Sequence, residues 1–348
     1  MPGMDSETPM PTVEFRPHRL LRSPHVQSVL ASSGMRRWLF RRRRHALESA
    51  AVEHILDCGD GVRLQGFYSE QNSLPKARGL LVLLHGWEGS VNSSYVLHTG
   101  ARMLAEGWDI FRLNFRDHGD THHLNPEMFH SCRLDEVVGA LREVAKRLPH
   151  QPLVLAGFSL GGNFALRVAL RASAEGIPLD HALAVCPAVH PPSILDAIER
   201  APWFYHQYFM LKWRGSLKRK RRLFPHLVKL DDADLAHDMR TLTRVMVERH
   251  TDFGTLDNYL NGYSIAGETL AGMTVPCSIL TSMDDPIIPI SDFRSLTLSP
   301  STELDVAPAG GHCGFICDFS LRSWTEDYFA DKLAKVAARV EQAAVATP

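Results

Sequence analysis

The sequence predicts an α/β architecture: a mostly parallel, eight-stranded sheet with flanking helices and one helical cap insertion. Three observations predict it. From residue 51, short apolar and β-branched runs alternate with segments of helical period, the pattern of parallel strands joined by crossover helices. The run Gly79 to Leu84 (GLLVLL) is apolar throughout, as a strand covered on both faces is. Between Cys186 and Val275 the alternation lapses for almost 90 residues, too long for a structureless loop in a compact domain.

Taken in order, residues 1–14 read as a polar tail and residues 15–50 as a basic arm. In that arm Arg36, Arg37 and Arg41 to Arg44 are interrupted by Trp38, Leu39 and Phe40, so it is expected to pack on the domain through its aromatics. Strands are expected near 52–57, 62–68, 79–84, 109–114, 152–156, 181–186, 275–281 and 302–307, with a hairpin at Asp60-Gly61 between the first two. Helices are expected near 93–106, 131–147, 160–174 and 322–343. The core is then 51–189 and 266–348, and residues 190–265 form the cap. The cap holds Trp203, Phe204, Tyr205, Tyr208, Phe209 and Trp213, the basic run Lys218 to Arg222, and a helical segment near 233–250. Its aromatics either line an acyl pocket with a solvated basic rim or rest on a lipid interface.

Composition narrows the function. A chain of 348 residues, 45% of them hydrophobic, can bury a large core. With 38 Lys and Arg against 39 Asp and Glu, it does not bind nucleic acid through its overall field. The six cysteines form no CxxC pair, which points to a reducing compartment. The N-terminal MPGMDSETPMPTVEF has no secretory pattern, and no apolar run approaches the roughly 20 residues of a membrane span. A cytoplasmic protein is expected, with membrane contact at most peripheral. The sequence carries no signal for its oligomeric state.

The chemistry is concentrated in a few short segments. Gly157-Phe158-Ser159-Leu160-Gly161-Gly162 follows the apolar run Leu153 to Ala156 and precedes a helix-like stretch. A G-x-S-x-G in that setting is a nucleophile elbow, which turns Ser159 outward on a sharp strand-to-helix bend. A serine hydroxyl needs a base to take its proton. Ala309-Gly310-Gly311-His312 after the last strand supplies His312, because the glycine pair lets the loop reach back over the strand ends. An orienting carboxylate belongs at a strand's carboxyl end, and after Val275 to Leu280 two candidates compete, Asp284 and Asp285. For the oxyanion hole, Leu160 supplies one backbone N–H and Trp87, in Leu84-His85-Gly86-Trp87-Glu88-Gly89-Ser90, the other.

HGWEGS, the GFSLGGN elbow, the DDP loop and GGHCGF together resemble the YheT-like branch of the α/β-hydrolase superfamily, which includes the eukaryotic abhydrolase-domain lipases and esterases. Phe15-Arg16-Pro17 with Ser23 to Ser28 (SPHVQS) resembles the branch's N-terminal signature, and Asn114-Phe115-Arg116 and His130-Ser131 match its pattern. The similarity runs over roughly residues 15–330. Trp87, where a smaller apolar residue is usual, and Asp117-His118 depart from it, which bears on substrate shape and leaves the triad intact. The resemblance implies the α/β-hydrolase fold and a serine esterase or lipase. Related loops place the acid four residues ahead of the second proline, which selects Asp285.

The expected activity is therefore hydrolysis of apolar acyl esters or lipids through an acyl-enzyme on Ser159, with His312 as base and Asp285 orienting it, without cofactor or metal. The same triad would serve an alcohol acceptor, making an acyltransferase or ester synthase. A catalytically silent ligand-binding scaffold is the other rival, and retention of both Ser159 and His312 weighs against it. Asp117, His118, Asp120, His122 and His123 crowd one loop and are read as polar surface rather than a metal site. His130 and Asp135 have a spacing associated with acyltransferases, but Ser131 is expected to open a helix with Asp135 in its first turn. Cys313 is assigned to packing.

Overall fold

The computed structural model describes residues 13–346, so the expected polar tail lies outside the described residues up to position 12. Three short helices come first: α1 (Pro24–Ala31), α2 (Gly34–Leu39) and α3 (Arg41–Ser49). The hairpin of β1 (Ala51–Asp57) and β2 (Arg63–Ser69) follows, its turn running through Asp60 and Gly61 at φ 51° and 76°. Next come β3 (Leu80–Leu84), α4 (Ser94–Ala105), β4 (Asp109–Leu113), α5 (Leu134–Arg147), β5 (Leu153–Phe158), α6 (Leu160–Arg171) and β6 (His181–Val185). The interval before β7 (Cys277–Ser282) is filled by α7 (Pro191–Arg200), α8 (Trp203–Leu223), α9 (Asp232–Ala236), α10 (Met239–His250) and α11 (Leu256–Gly262). α12 (Ile290–Arg294), β8 (Thr302–Ala307) and α13 (Trp324–Ala346) complete the chain.

The eight strands make one sheet in the order β1-β2-β4-β3-β5-β6-β7-β8. Only the β1–β2 and β2–β4 pairs are antiparallel. The sheet works as a two-faced wall. Leu80, Val82 and Leu84 belong to the apolar cluster that includes α5 and α6 residues, while Leu81 and Leu83 pack with α4 and α13 on the other face. This alternation explains why β3 must be apolar at every position. Because β3 lies between β4 and β5, the chain switches direction across the sheet there. That switch leaves a crevice outside the carboxyl ends of β3 and β5, the usual place for a site in an open α/β sheet.

Some expected boundaries move for local reasons. The helix expected from residue 131 begins at Leu134, because the Ser131 amide donates to Tyr259 Oη at 3.1 Å instead of entering a helical ladder. β5 extends to Phe158, directly against the bend, and the last helix begins at Trp324. Of the basic arm's aromatics, Phe40 packs as expected, partly buried against the cluster of Leu21, Ile316 and Leu321 with its ring 5.1 Å from that of His98, whereas Trp38 is 65% exposed. Arg36 also holds the arm. This guanidinium is buried and binds Glu326 Oε1 at 2.7 Å, the Leu321 carbonyl at 3.1 Å and the Ala31 carbonyl at 3.3 Å. Lys220, expected on a solvated rim, is likewise buried, with Nζ 2.6 Å from Asp117 Oδ1, and so fastens α8 to the core. No helix among the described residues is long and apolar enough to cross a membrane.

Removing one partner of a buried ion pair strands the other without solvent. Arg36→Ala is expected to destabilise the fold by about 3–5 kcal/mol, because Glu326 stays buried and uncompensated. Urea unfolding checks this; an unchanged midpoint would show that the arm is not part of the cooperative unit.

Candidate active site

The elbow is built by close backbone approach. Ser159 stands between β5 and α6 with φ 55° and ψ −120°, a left-handed conformation strained for any residue with a Cβ. A Cβ on Gly157 would lie 2.0 Å from the Gly161 carbonyl oxygen, and one on Gly161 would lie 2.4 Å from that of His85. Both positions must therefore be glycine for the turn to close against the strand ends. The amino end of α6 lies directly after Ser159 and directs its dipole at the hydroxyl.

The structure brings Ser159, His312 and Asp285 together in one relay. Ser159 Oγ is 3.0 Å from His312 Nε2, and His312 Nδ1 is 2.8 Å from Asp285 Oδ2. The second carboxylate oxygen of Asp285 accepts the amides of Ile287 at 2.8 Å and Ile288 at 3.0 Å. The Asp285 side chain is fully buried, and the two amides on Oδ1 leave Oδ2 facing the histidine. Asp284 takes a different part: its Oδ1 accepts the Gly311 amide at 2.9 Å and braces the loop carrying His312. Burial disfavours the charged imidazole, but the Asp285 carboxylate, the Cys313 sulfur and the Asp285 hydrogen bond outweigh it, and the His312 pKa rises to about 9.

Trp87 and Leu160 line the same cavity as Ser159 and His312. Neither of their amides donates to a turn, loop or side-chain acceptor among the described residues. The Gly86 amide, by contrast, is occupied by Tyr95 Oη at 3.0 Å. The Trp87 indole stacks on Phe209 at 5.5 Å and meets Trp213 edge-on at 5.4 Å. The cavity has a volume of about 570 Å³. Its walls are mostly apolar, from Ile194 and Ile198 on α7, Phe209 and Trp213 on α8, Met246 on α10 and Leu260 on α11.

Three supporting groups escaped the sequence reading. Ser28 on α1 accepts the His312 amide at 2.8 Å and donates to the Pro24 carbonyl at 2.7 Å. Its neighbour Gln27 clamps Ile316, accepting its amide at 2.6 Å and donating to its carbonyl at 3.0 Å. The SPHVQS segment is therefore a buttress of the base loop, and its likeness to the branch's N-terminal signature was the available signal. Glu88 is the third group. It lines the cavity, and burial, only partly offset by Lys212, raises its carboxyl pKa to about 8. His118 anchors that loop: its Nδ1 donates to the Arg116 carbonyl at 2.7 Å, leaving Nε2 to accept the Glu88 amide at 3.2 Å.

The remaining candidates are drawn apart. Asp117 pairs with Lys220, Asp120 with Arg219 Nη1 at 2.7 Å, and His122 Nε2 meets Ser216 Oγ at 2.8 Å. His130 lines the cavity, whereas Asp135 pairs with Arg171 on the surface, so the two do not form a pair. Cys313 lines the cavity and, with Cys186 and His312, forms a group whose donor atoms lie within 4.8 Å of one another.

Residues 79–224 match the family model described as alpha/beta hydrolase fold. The chain is 26% identical over 336 residues to an Escherichia coli protein named "Putative esterase YheT", covering 92% of this chain and 93% of that one. It is 23% identical over 306 residues to a monoacylglycerol lipase of Saccharomyces cerevisiae, covering 82% of this chain and 66% of the relative. Among solved structures, 2,6-dihydroxy-pseudo-oxynicotine hydrolase superposes with a TM-score of 0.57 at 16% identity, over 90% of this chain and 77% of the other.

Proposed function

Because this chain is an α/β hydrolase and a relative of YheT, we propose that it cleaves carboxylic esters with apolar acyl groups through a covalent acyl-enzyme on Ser159. The observation that carries this reading is the continuous relay Ser159–His312–Asp285 opening on an apolar cavity. Names of esterases and lipases among the relatives point the same way.

In this mechanism neutral His312 takes the Ser159 proton on Nε2 as Oγ attacks the ester carbonyl. The free amides of Leu160 and Trp87 hold the oxyanion, helped by the amino end of α6. His312 then returns the proton to the leaving alcohol. Water, deprotonated in turn by His312, attacks the acyl-enzyme and releases the acid. The helices α7 to α11 act as a cap, and their apolar side chains hold the acyl chain.

A series of p-nitrophenyl esters from acetate to long chains tests this reading. Each buried methylene is expected to raise kcat/KM about fourfold until the cavity is full. A profile that falls from acetate onward would remove the acyl chain from the cavity, and no turnover at any length would remove the hydrolase reading. Added ethanol separates the acceptors: ethyl ester in preference to free acid would mark an acyltransferase.

A further inference from the structure

The rim of the cavity carries an apolar face that no described part of the chain covers. We propose that the face formed by α1, α2 and the first half of α8 docks on a bilayer containing anionic phospholipid, so that the cavity opens onto the lipid. The docking stands on this surface alone; delivery of substrate through it rests on the ester-hydrolase reading.

The face is continuous. His25 of α1 meets α8 directly, with Nδ1 3.2 Å from Tyr205 Oη and its ring centroid 6.2 Å from that of Phe204. Val29 and Tyr208 both line the cavity and are both exposed, so they mark its mouth. Trp203 and Leu211 lie outside the lining and are each 75% exposed, among the most exposed large apolar side chains described. Single exposed leucines are ordinary, but aromatic and aliphatic side chains grouped around a cavity mouth are not. Tryptophan in particular prefers the boundary between hydrocarbon and water.

Charge selects the partner. The whole chain has a formal charge of -1, yet residues 13–50 hold nine arginines and two glutamates. Arg37 lines the cavity mouth and Arg41 follows one turn later. Arg37, Arg41, Arg42 and Arg43 form no ion pair among the described residues, whereas Arg36 and Arg44 do. Arg37, without an ion pair at a mouth shared with the exposed Val29 and Tyr208, and the exposed Arg41 and Arg42 that follow it match a surface that is negative outside and apolar beneath. A nucleic acid would use the cations and leave Trp203 and Leu211 without a partner.

The test uses the full chain carrying Ser159→Ala, so that the vesicles stay intact, and measures co-sedimentation with phosphatidylcholine vesicles with and without phosphatidylserine. Binding is expected to be at least about tenfold tighter with phosphatidylserine. Each arginine lost in Arg41→Gln and Arg42→Gln should weaken it about fivefold. Trp203→Ser with Leu211→Ser should weaken it about tenfold or more. Equal binding to both vesicles, or variants that bind as the parent does, would overturn the proposal. So would capture by single-stranded RNA that depends on the arginines alone. The same variants in the Ser159 background should keep turnover of a soluble short-chain ester. Turnover without vesicle binding sinks docking only; vesicle binding without turnover sinks the hydrolase reading only.

Discussion

Ser159→Ala is expected to lower kcat for any p-nitrophenyl ester by about 10⁴-fold or more while leaving the fold and substrate binding unchanged. The size follows from what the hydroxyl does. It is the one group placed to form the covalent bond, at 3.0 Å from its base, and alanine offers nothing in its place. The fold should not suffer, because the Ser159 hydroxyl hydrogen-bonds only to His312 among the described residues, and alanine keeps the Cβ that the strained turn already accommodates. A residual rate above water, from the oxyanion amides and the cavity, is expected to survive. Labelling by a fluorophosphonate probe should disappear in the same variant, since that reagent reports an activated serine and not mere binding. Near wild-type turnover or labelling in Ser159→Ala would move the nucleophile elsewhere.

Much of this site was legible because its parts are local. The elbow needs glycines at fixed offsets from Ser159, and the Gly157 and Gly161 contacts show why no other residue fits. The sheet was legible because β3 and β5 are buried on both faces and so must be apolar throughout. What stayed hidden depends on contacts between distant segments. That Ser28 holds the amide of His312, 284 positions later, is a matter of tertiary packing. Lys220 reads as one more cation in a basic run, and only its place against Asp117 makes it a buried staple. The arm's aromatics divide: Phe40 packs as expected, but Trp38 stays exposed, and the buried arginine two positions earlier anchors its helix instead. Asp284 and Asp285 are alike in sequence, and backbone amides separate them: Ile287 and Ile288 fix one toward the imidazole, while Gly311 claims the other.

That separation gives Asp285→Asn an unusually sharp expected outcome, a fall in kcat of about 10⁴-fold with little change in stability. Asp285 Oδ1 accepts two amides, so an asparagine must keep its own oxygen there. Its NH₂ then faces His312 Nδ1, which can only accept. The imidazole is driven into the tautomer with its proton on Nε2, where it cannot take the proton of Ser159. The pH profile should change as well. In the parent enzyme the His312 pKa is raised to about 9, so the neutral base, and with it kcat/KM, grows as pH rises through that value. Without the carboxylate the largest raising influence is lost and burial acts in the opposite sense, so the acid limb of the residual activity should move to lower pH. Asp284→Asn serves as the comparison. It keeps an oxygen for the Gly311 amide and loses only the charge on that bond, so its rate should fall about tenfold or less, with the acid limb unmoved. If instead Asp284→Asn lost the larger factor, the two carboxylates would have to exchange roles. If Asp285→Asn kept both rate and profile, the imidazole would be oriented by something other than its nearest acid.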